Sequence, residues 1–304
     1  MAARSLPLVI VNPASRGGAG GRDWPHVATA LRSHFGPFEH RFTECPGHAT
    51  ALARNAGEAG YGLVVAFGGD GTISEVASGI VTSGHECTIG ILPHGTGSDL
   101  ARSLGLPNRL GDAVRLLRCG RAIAIDVGRV TFADGMVRRF VNATSFGLSA
   151  EVAALVNGAG RGYLRGTVAA ALAFQPPAVE LSLDGRTRRR LSITTVSLHN
   201  GRFFGGGMEM APEAHLDDGR LDVVVVKKLP VRKLLTRAPL LYWGAHQGLA
   251  EVEHGRLDRL DAWPVAGDVP LEIDGESGYR LPASFEVEPR KLRVLTRPAN
   301  PWNP

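Results

Sequence analysis

The stretch Gly62-Leu63-Val64-Val65-Ala66-Phe67-Gly68-Gly69-Asp70-Gly71-Thr72-Ile73-Ser74-Glu75-Val76-Ala77-Ser78-Gly79 decides how this chain is read. Its first six residues are an apolar run of the kind a buried strand makes, and its last seven open a helix. Between them, Gly68 to Thr72 form a glycine-dense turn. Such a turn exposes backbone N–H groups at the positive end of a helix dipole, where phosphate is held. Asp70 sits inside the turn, and its carboxylate would repel a bare phosphate. A Mg²⁺ ion or a metal-bound water between the two removes the conflict. Turn geometry explains the glycines but requires neither the aspartate nor the threonine.

Working outward, the segments before Gly120 alternate. Residues 6–11, 38–43, 63–67 and 88–92 read as strands, and 22–33, 48–59, 72–80, 98–104 and 112–119 as helices. This βα alternation predicts a parallel sheet covered on both faces. Ligands of such sheets bind outside the carboxyl ends of the strands. Four elements follow strand ends there: Asn12-Pro13-Ala14-Ser15-Arg16-Gly17-Gly18, Thr43, Gly68 to Thr72, and Gly95-Thr96-Gly97-Ser98-Asp99. Lying along one edge, they can converge on one nucleoside triphosphate. None matches the P-loop or the dinucleotide-binding fingerprint.

From Arg121 the character changes. Residues 123–130, 138–145, 179–183, 191–199, 221–227, 256–263, 270–273, 283–287 and 291–295 read as strands. Helical pieces are fewer: 148–156, 167–174 and 231–247. Asp134-Gly135, Asp184-Gly185 and Asp218-Gly219 mark turns. The expectation is an α/β domain over residues 1–124 and a mainly antiparallel β-sandwich over 125–304, with the last strand or tail able to pack back on the first domain.

The chain has 304 residues, 44% of them hydrophobic, enough to build real cores in two domains. Cys45, Cys87 and Cys119 are widely spaced and form no metal or redox pattern, as expected of reduced core thiols in a cytoplasmic protein. The apolar N-terminal run is too short for a signal peptide, and no apolar stretch reaches bilayer length. Net charge is +5 and the pI 9.4. Such a surface attracts anionic partners. The arginines are mostly scattered and lack interleaved aromatics, which disfavours nucleic acid and leaves transient contact with an anionic membrane open.

At this point a resemblance emerges. Asn12 to Gly17, Gly68 to Thr72 with Glu75-Val76, Pro93-His94-Gly95-Thr96-Gly97-Ser98-Asp99-Leu100-Ala101, Asp217-Asp218-Gly219-Arg220-Leu221-Asp222-Val223 and Ile273-Asp274-Gly275-Glu276 resemble, in order and spacing, the motifs of the diacylglycerol kinase catalytic-domain family. The similarity is greatest to its soluble bacterial lipid kinases, related to sphingosine and ceramide kinases. It implies an N-terminal domain like that of NAD kinases and phosphofructokinases. It implies ATP as phosphoryl donor with Mg²⁺, and a lipid hydroxyl, of diacylglycerol or a similar lipid, as acceptor at a membrane surface. The enzyme would be cytoplasmic and transiently membrane-associated.

Carried over by position, the resemblance places Asn12, Pro13, Ala14, Ser15, Arg16, Thr43, Gly68, Gly69, Asp70, Gly71, Thr72, Ile73, Ser74 and Thr96 around the nucleotide. Asp70 would hold a metal-bridged phosphate, with Asp99 in the same acidic network. A second, structural Mg²⁺ would sit on the Asp218 side chain and the carbonyls of His215 and Arg220. Asp274 or Glu276 would accept the hydroxyl proton, and the sequence does not choose between them. Without the resemblance, Asp218-Gly219 and Asp274-Gly275 read as hairpin turns. Ser74 and Ser98 stand where the family usually has Asn. His94 stands where it often has an apolar residue, and reads as a loop residue. Two other readings stay open: an NAD kinase-like enzyme, and a non-catalytic nucleotide-binding membrane sensor. Intact Asp70, Asp99, Asp218 and Glu276 argue against the sensor. The acceptor and the oligomeric state, a dimer included, are not encoded in any motif.

Overall fold

The computed structural model describes residues 6–158 and 173–298. The helix expected over 167–174 lies outside them except for its last two positions. Residues up to Ile125, with those from Arg290 onward, form one compact unit, and Asp126–Pro289 form another.

The first unit is built on a parallel sheet. Strands β1 (Leu8–Val11), β2 (Glu39–Phe42), β3 (Leu63–Gly68) and β4 (Thr88–Pro93) lie in the order β2-β1-β3-β4, each pair parallel. Val9, Ile10, Val11, Val64, Val65 and Ala66 are wholly buried, which requires cover on both faces of the sheet. The connections carry α1 (Ser15–His34), α2 (His48–Glu58) and α3 (Asp70–Ser83); α4 (Asp99–Ser103) and α5 (Leu110–Cys119) follow β4. Helices α2 and α3 touch closely: a Cβ on Gly79 would come within 2.4 Å of the Thr50 carbonyl oxygen. From α3, Glu75 accepts the Gly47 and Ala49 N–H groups at 3.0 Å each. It thereby caps α2, which has no side-chain cap of its own.

The second unit is antiparallel. After β5 (Arg121–Phe132) and its partner β6 (Val137–Phe140) come β7 (Ala143–Gly147), helix α6 (Leu148–Gly158), β8 (Ala178–Leu183) and β9 (Arg189–His199). Then follow β10 (Leu221–Lys227), helix α7 (Val231–Arg237), β11 (Val252–Leu257), β12 (Arg259–Pro264), β13 (Pro270–Ile273), β14 (Glu276–Arg280) and β15 (Ala283–Thr296). One sheet runs β14-β13-β7-β9-β10-β11. The first half of β9 leaves it to pair with β8, which continues to β12 and β15. Between the layers Phe146 and Phe285, both fully buried, stack 5.9 Å apart. Burying a ring of that size is worth about 1.5–3 kcal/mol.

Four elements differ from the sequence expectation. The strand expected over 138–145 is two, β6 and β7, because the N–H groups of Val141, Asn142 and Ala143 turn to the Asp274 carboxylate. The strand expected over 256–263 is likewise two, β11 and β12. Asp184 Oδ1 accepts the N–H groups of Asp258 and Arg259 at the break. The helix expected over 231–247 stops at Arg237 and gives way to 3-10 turns at Ala238–Trp243 and Ala245–Gly248. Pro239 lacks the N–H that would continue it, and Gly244 is left-handed at φ +66. The strands expected over 283–287 and 291–295 are the single β15. Its first residues pair with β12, whereas Arg293 and Val294 pair in parallel with Thr88 and Ile89 of β4, in the first unit.

One acid is embedded in the second sheet. Glu272 of β13 is fully buried opposite Ser145 of β7. Ser145 Oγ donates to its Oε1 at 2.6 Å and the Gly275 N–H to its Oε2 at 2.7 Å. Burial pushes the Glu272 carboxyl up to about 8, against those two hydrogen bonds, and the nearby Asp274 charge adds to the rise. A raised carboxyl favours the folded state fully below its ordinary value of 4.5 and loses that advantage as pH climbs toward about 8. Glu272→Gln is therefore expected to flatten the dependence of Tm on pH across this window. Thermal melts of both proteins at a series of pH values check it; parallel profiles would contradict the assignment.

Candidate functional site

Two loops at the carboxyl edge of the parallel sheet are joined backbone to backbone. A Cβ on Gly95 would lie 2.7 Å from the Cα of Gly69, so no side chain can stand at that position without parting the loops. The His94 N–H donates to the Gly68 carbonyl at 2.7 Å. The first loop is tied in as well: Asn12 Nδ2 donates to Thr72 Oγ1 at 2.8 Å, and Asn12 Oδ1 accepts the Ala14 N–H at 2.9 Å. Beyond it Arg16, Gly17 and Gly18 are successively left-handed, at φ 50, 64 and 86. For Arg16 that conformation costs about 1–2 kcal/mol, a strain of the kind found at ligand clamps. Cβ atoms on Gly17 or Gly71 would meet nothing within 4 Å, so both positions border open space.

Asp70 does not project freely from this turn. Its Oδ2 accepts the Ser98 N–H at 2.7 Å and its Oδ1 the Asp99 N–H at 2.8 Å. It thus locks the β3–α3 turn to the start of α4 across 28 residues of sequence. Each carboxylate oxygen keeps a further lone pair. Ser98 is left-handed at φ 52, a conformation Asn adopts more readily than Ser. Of the other residues expected around the nucleotide, Thr72 and Ile73 are buried, at 5% and 1% exposure, and Ile73 is a core residue. Asp99 is also buried. Arg16, Gly71 and Thr96 are exposed; Thr43, Gly69 and Ser74 are half-buried.

His94, read from sequence as a loop residue, is a buried link. Its Nδ1 lies 2.9 Å from Ser15 Oγ and its Nε2 3.0 Å from Asp23 Oδ2. The ring packs on Phe67 at 4.8 Å between centroids. Ser15 also donates to the Asn12 carbonyl at 3.0 Å. One histidine thus joins the first loop, α1 and the loop after β4. No motif announces this, because Ser15 and Asp23 both belong to α1, 79 and 71 residues before His94 in the chain.

In the second unit the two candidate acids part company. Asp274 is left-handed at φ 47, and its carboxylate accepts three N–H groups: Val141 at 2.8 Å, Asn142 at 3.0 Å and Ala143 at 3.0 Å. Glu276, at the start of β14, is exposed, and Tyr279 OH donates to its Oε2 at 3.2 Å. Beside this turn, Asn142 Nδ2 donates to the Phe203 carbonyl, and Asn200 Nδ2 to the carbonyls of Asp126 and Val141. Among the described residues, buried Asn142 Oδ1 and Asn200 Oδ1 have no hydrogen-bond partner. Burial holds His199 down at about 3, and it is therefore neutral.

At the turn expected to carry a second metal, the Asp218 carboxylate already has partners in its own chain. Asp218 Oδ1 accepts the Arg220 N–H at 3.0 Å, and Arg256 Nη1 stands 3.9 Å from its Oδ2. The Gly219 N–H goes to Asp126 Oδ2 at 2.7 Å, and His215 Nδ1 lies 3.0 Å from the Glu213 carbonyl oxygen. A cation there would compete with the guanidinium. Among the described residues no group of three His, Cys, Asp or Glu side chains is placed to hold a metal ion. The two spare lone pairs of Asp70, beside open glycine backbone, suit a metal-bound water better than a fully caged ion.

Comparison with known proteins matches this geometry to a family. Residues 7–130 match the diacylglycerol kinase catalytic domain, and residues 142–296 the YegS C-terminal NAD kinase beta sandwich-like domain. The chain is similar to the diacylglycerol kinase of Bacillus subtilis (strain 168), with 30% identity over 83% of this chain and 84% of the relative. It is also similar to that of Mycobacterium tuberculosis (strain ATCC 25618 / H37Rv), with 30% identity over 94% and 93%. A solved structure of a diacylglycerol kinase from Bacillus anthracis str. Sterne shares the fold at a TM-score of 0.74, 21% identity and 97% coverage of both chains. The two domain matches, with 30% identity over most of both chains, place this chain in the family of diacylglycerol kinases and YegS-like lipid kinases.

Proposed function

We propose that the protein is an ATP- and Mg²⁺-dependent kinase that phosphorylates the hydroxyl of a membrane lipid, diacylglycerol or a close relative. The observation that carries this reading is the Gly69–Gly95 contact, which fuses two glycine loops into one backbone surface at the sheet edge. There the N-terminus of α3 offers N–H groups to phosphate. Arg16 and Thr96, both exposed, supply a cation and a hydroxyl at the rim. Asp70 keeps the loops in register, and its carboxylate would be the group that holds a metal-bound water beside the phosphates. ATP supplies the phosphoryl group, and Mg²⁺ offsets the charge on its phosphates.

The acceptor side needs a proton acceptor. Glu276 fits that role because its carboxylate is exposed, with Tyr279 orienting it. Asp274 already serves three N–H groups and acts as the anchor that fixes the turn. As the acceptor oxygen bonds to the γ-phosphorus and the bond to ADP breaks, the hydroxyl proton passes to Glu276.

Labelled ATP, Mg²⁺ and mixed micelles of diacylglycerol, phosphatidylglycerol or sphingoid bases test the reading. Transfer to a lipid supports it. No transfer to these or to a total lipid extract overturns it, and NADP formation from NAD would move the acceptor to a nucleotide. Glu276→Gln is expected to lower kcat by on the order of 10²-fold or more with little change in Tm. Asp274→Asn and Asp70→Asn set an amide NH₂ against a backbone N–H, costing about 1–3 kcal/mol, so both kcat and Tm should fall. Unchanged melting of Asp274→Asn together with full activity of Glu276→Gln would reverse the two roles. Ser98→Asn relieves the left-handed strain and should raise Tm by about 1–3 °C while keeping activity, as scanning calorimetry would read.

A further inference from the structure

Trp243 is 73% exposed and Tyr242 52%, more than any other large apolar residue among those described. They form the tip of the 3-10 turn Ala238–Trp243, which follows α7. The tip is clamped from within. The Leu241 carbonyl accepts the Glu209 N–H at 2.7 Å, and its side chain packs on the cluster of Met210, Val224, Val226 and Val252. After the tip, buried His246 binds the Met210 carbonyl through Nε2 at 3.1 Å. Left-handed Gly244 sits so close to Pro212 that a Cβ would come within 2.4 Å of its ring. The inward residues are thus spent on the core, and two aromatic rings are held outward on a fixed turn.

The chain segment that carries this tip is basic, although Glu209, bonded to Leu241, and Glu251 lie against it. Residues 228–250 contain Lys228, Arg232, Lys233 and Arg237 and no acidic residue. Lys233 and Arg237 share Glu251, at 3.0 and 2.9 Å, which leaves a surplus positive charge; Lys228 and Arg232 are exposed. An outward Tyr and Trp on a chain segment that also carries exposed Lys228 and Arg232 suit the boundary of an anionic bilayer, with the rings at headgroup level. No helix among the described residues is long and apolar enough to cross a membrane.

We infer that the Tyr242–Trp243 tip, with Lys228 and Arg232, docks the second unit onto an anionic lipid surface. This deepens the lipid-kinase reading and rests on it for its purpose, but vesicle binding without ATP tests it separately. Flotation of the full chain with phosphatidylcholine vesicles, with and without phosphatidylglycerol, reads the contact. Binding is expected to require phosphatidylglycerol and to weaken with added salt. Trp243→Ser and Tyr242→Ser should each weaken it by about tenfold. Arg232→Gln should weaken it roughly fivefold. Trp243→Ser should keep its Tm and its turnover on a short-chain, monomeric diacylglycerol. Undiminished vesicle binding by both Trp243→Ser and Tyr242→Ser, or no binding by the parent chain, overturns the proposal. So does a parent dimer that Trp243→Ser converts to monomer, which would assign the tip to a second copy. Vesicle binding by a chain inactive on every lipid would sink the kinase reading and leave the docking surface standing.

Discussion

Carboxylates seated on the backbone N–H groups of a distant segment hold both units of this protein in shape. Asp70 takes two N–H groups at the start of α4, Glu75 two at the start of α2, and Asp274 three between β6 and β7. Asp184 takes two at the break between β11 and β12, and Asp126 one from Gly219. Hydrogen bonds to an ionised acceptor are shorter and stronger than neutral ones, about 1.5–3 kcal/mol each. They also fix direction, since a carboxylate cannot be satisfied by N–H groups that point elsewhere. Asp70, Asp184 and Asp274 each precede a glycine, and the last two are left-handed at φ 48 and 47. An Asp-Gly pair here is a clasp as much as a turn.

This explains which parts of the fold were legible in the sequence. The parallel sheet followed from apolar runs spaced by helix patterns, because strands such as residues 63–67 are buried on both faces and need no outside partner to be recognised. The breaks in the second unit were not legible. Nothing in residues 138–145 signals that three N–H groups leave the ladder for a carboxylate 133 residues away. Burial at β13 was equally hidden. Glu272 lies in Pro-Leu-Glu-Ile, where alternation puts an acid on the wet face, yet it is fully buried. His94 was missed because both its partners come from α1, more than 70 residues away in the chain.

The candidate site shows the same division between acids that hold and an acid that is available. The motifs flagged Asp70, Asp274 and Glu276 alike as chemical groups. Geometry separates them: the first two are occupied by backbone, and only Glu276 is exposed. Sequence spacing cannot make that distinction, since Asp274 and Glu276 are two residues apart and differ in what the rest of the chain brings to them. Asn142 Oδ1 and Asn200 Oδ1, buried beside the same turn and without a partner among the described residues, are likewise products of the fold rather than of any motif.

The strand β15 carries a consequence in time. Its last residues close the edge of the first unit's sheet at β4, although nearly all the rest of that unit is made before Asp126. During synthesis β4 therefore waits with an open edge while the entire second unit is translated. An unpaired edge of buried aliphatic residues is a template for wrong pairing. The interval between the emergence of Ile89 and of Val294 is the period in which a nascent chain of this protein is most exposed to aggregation.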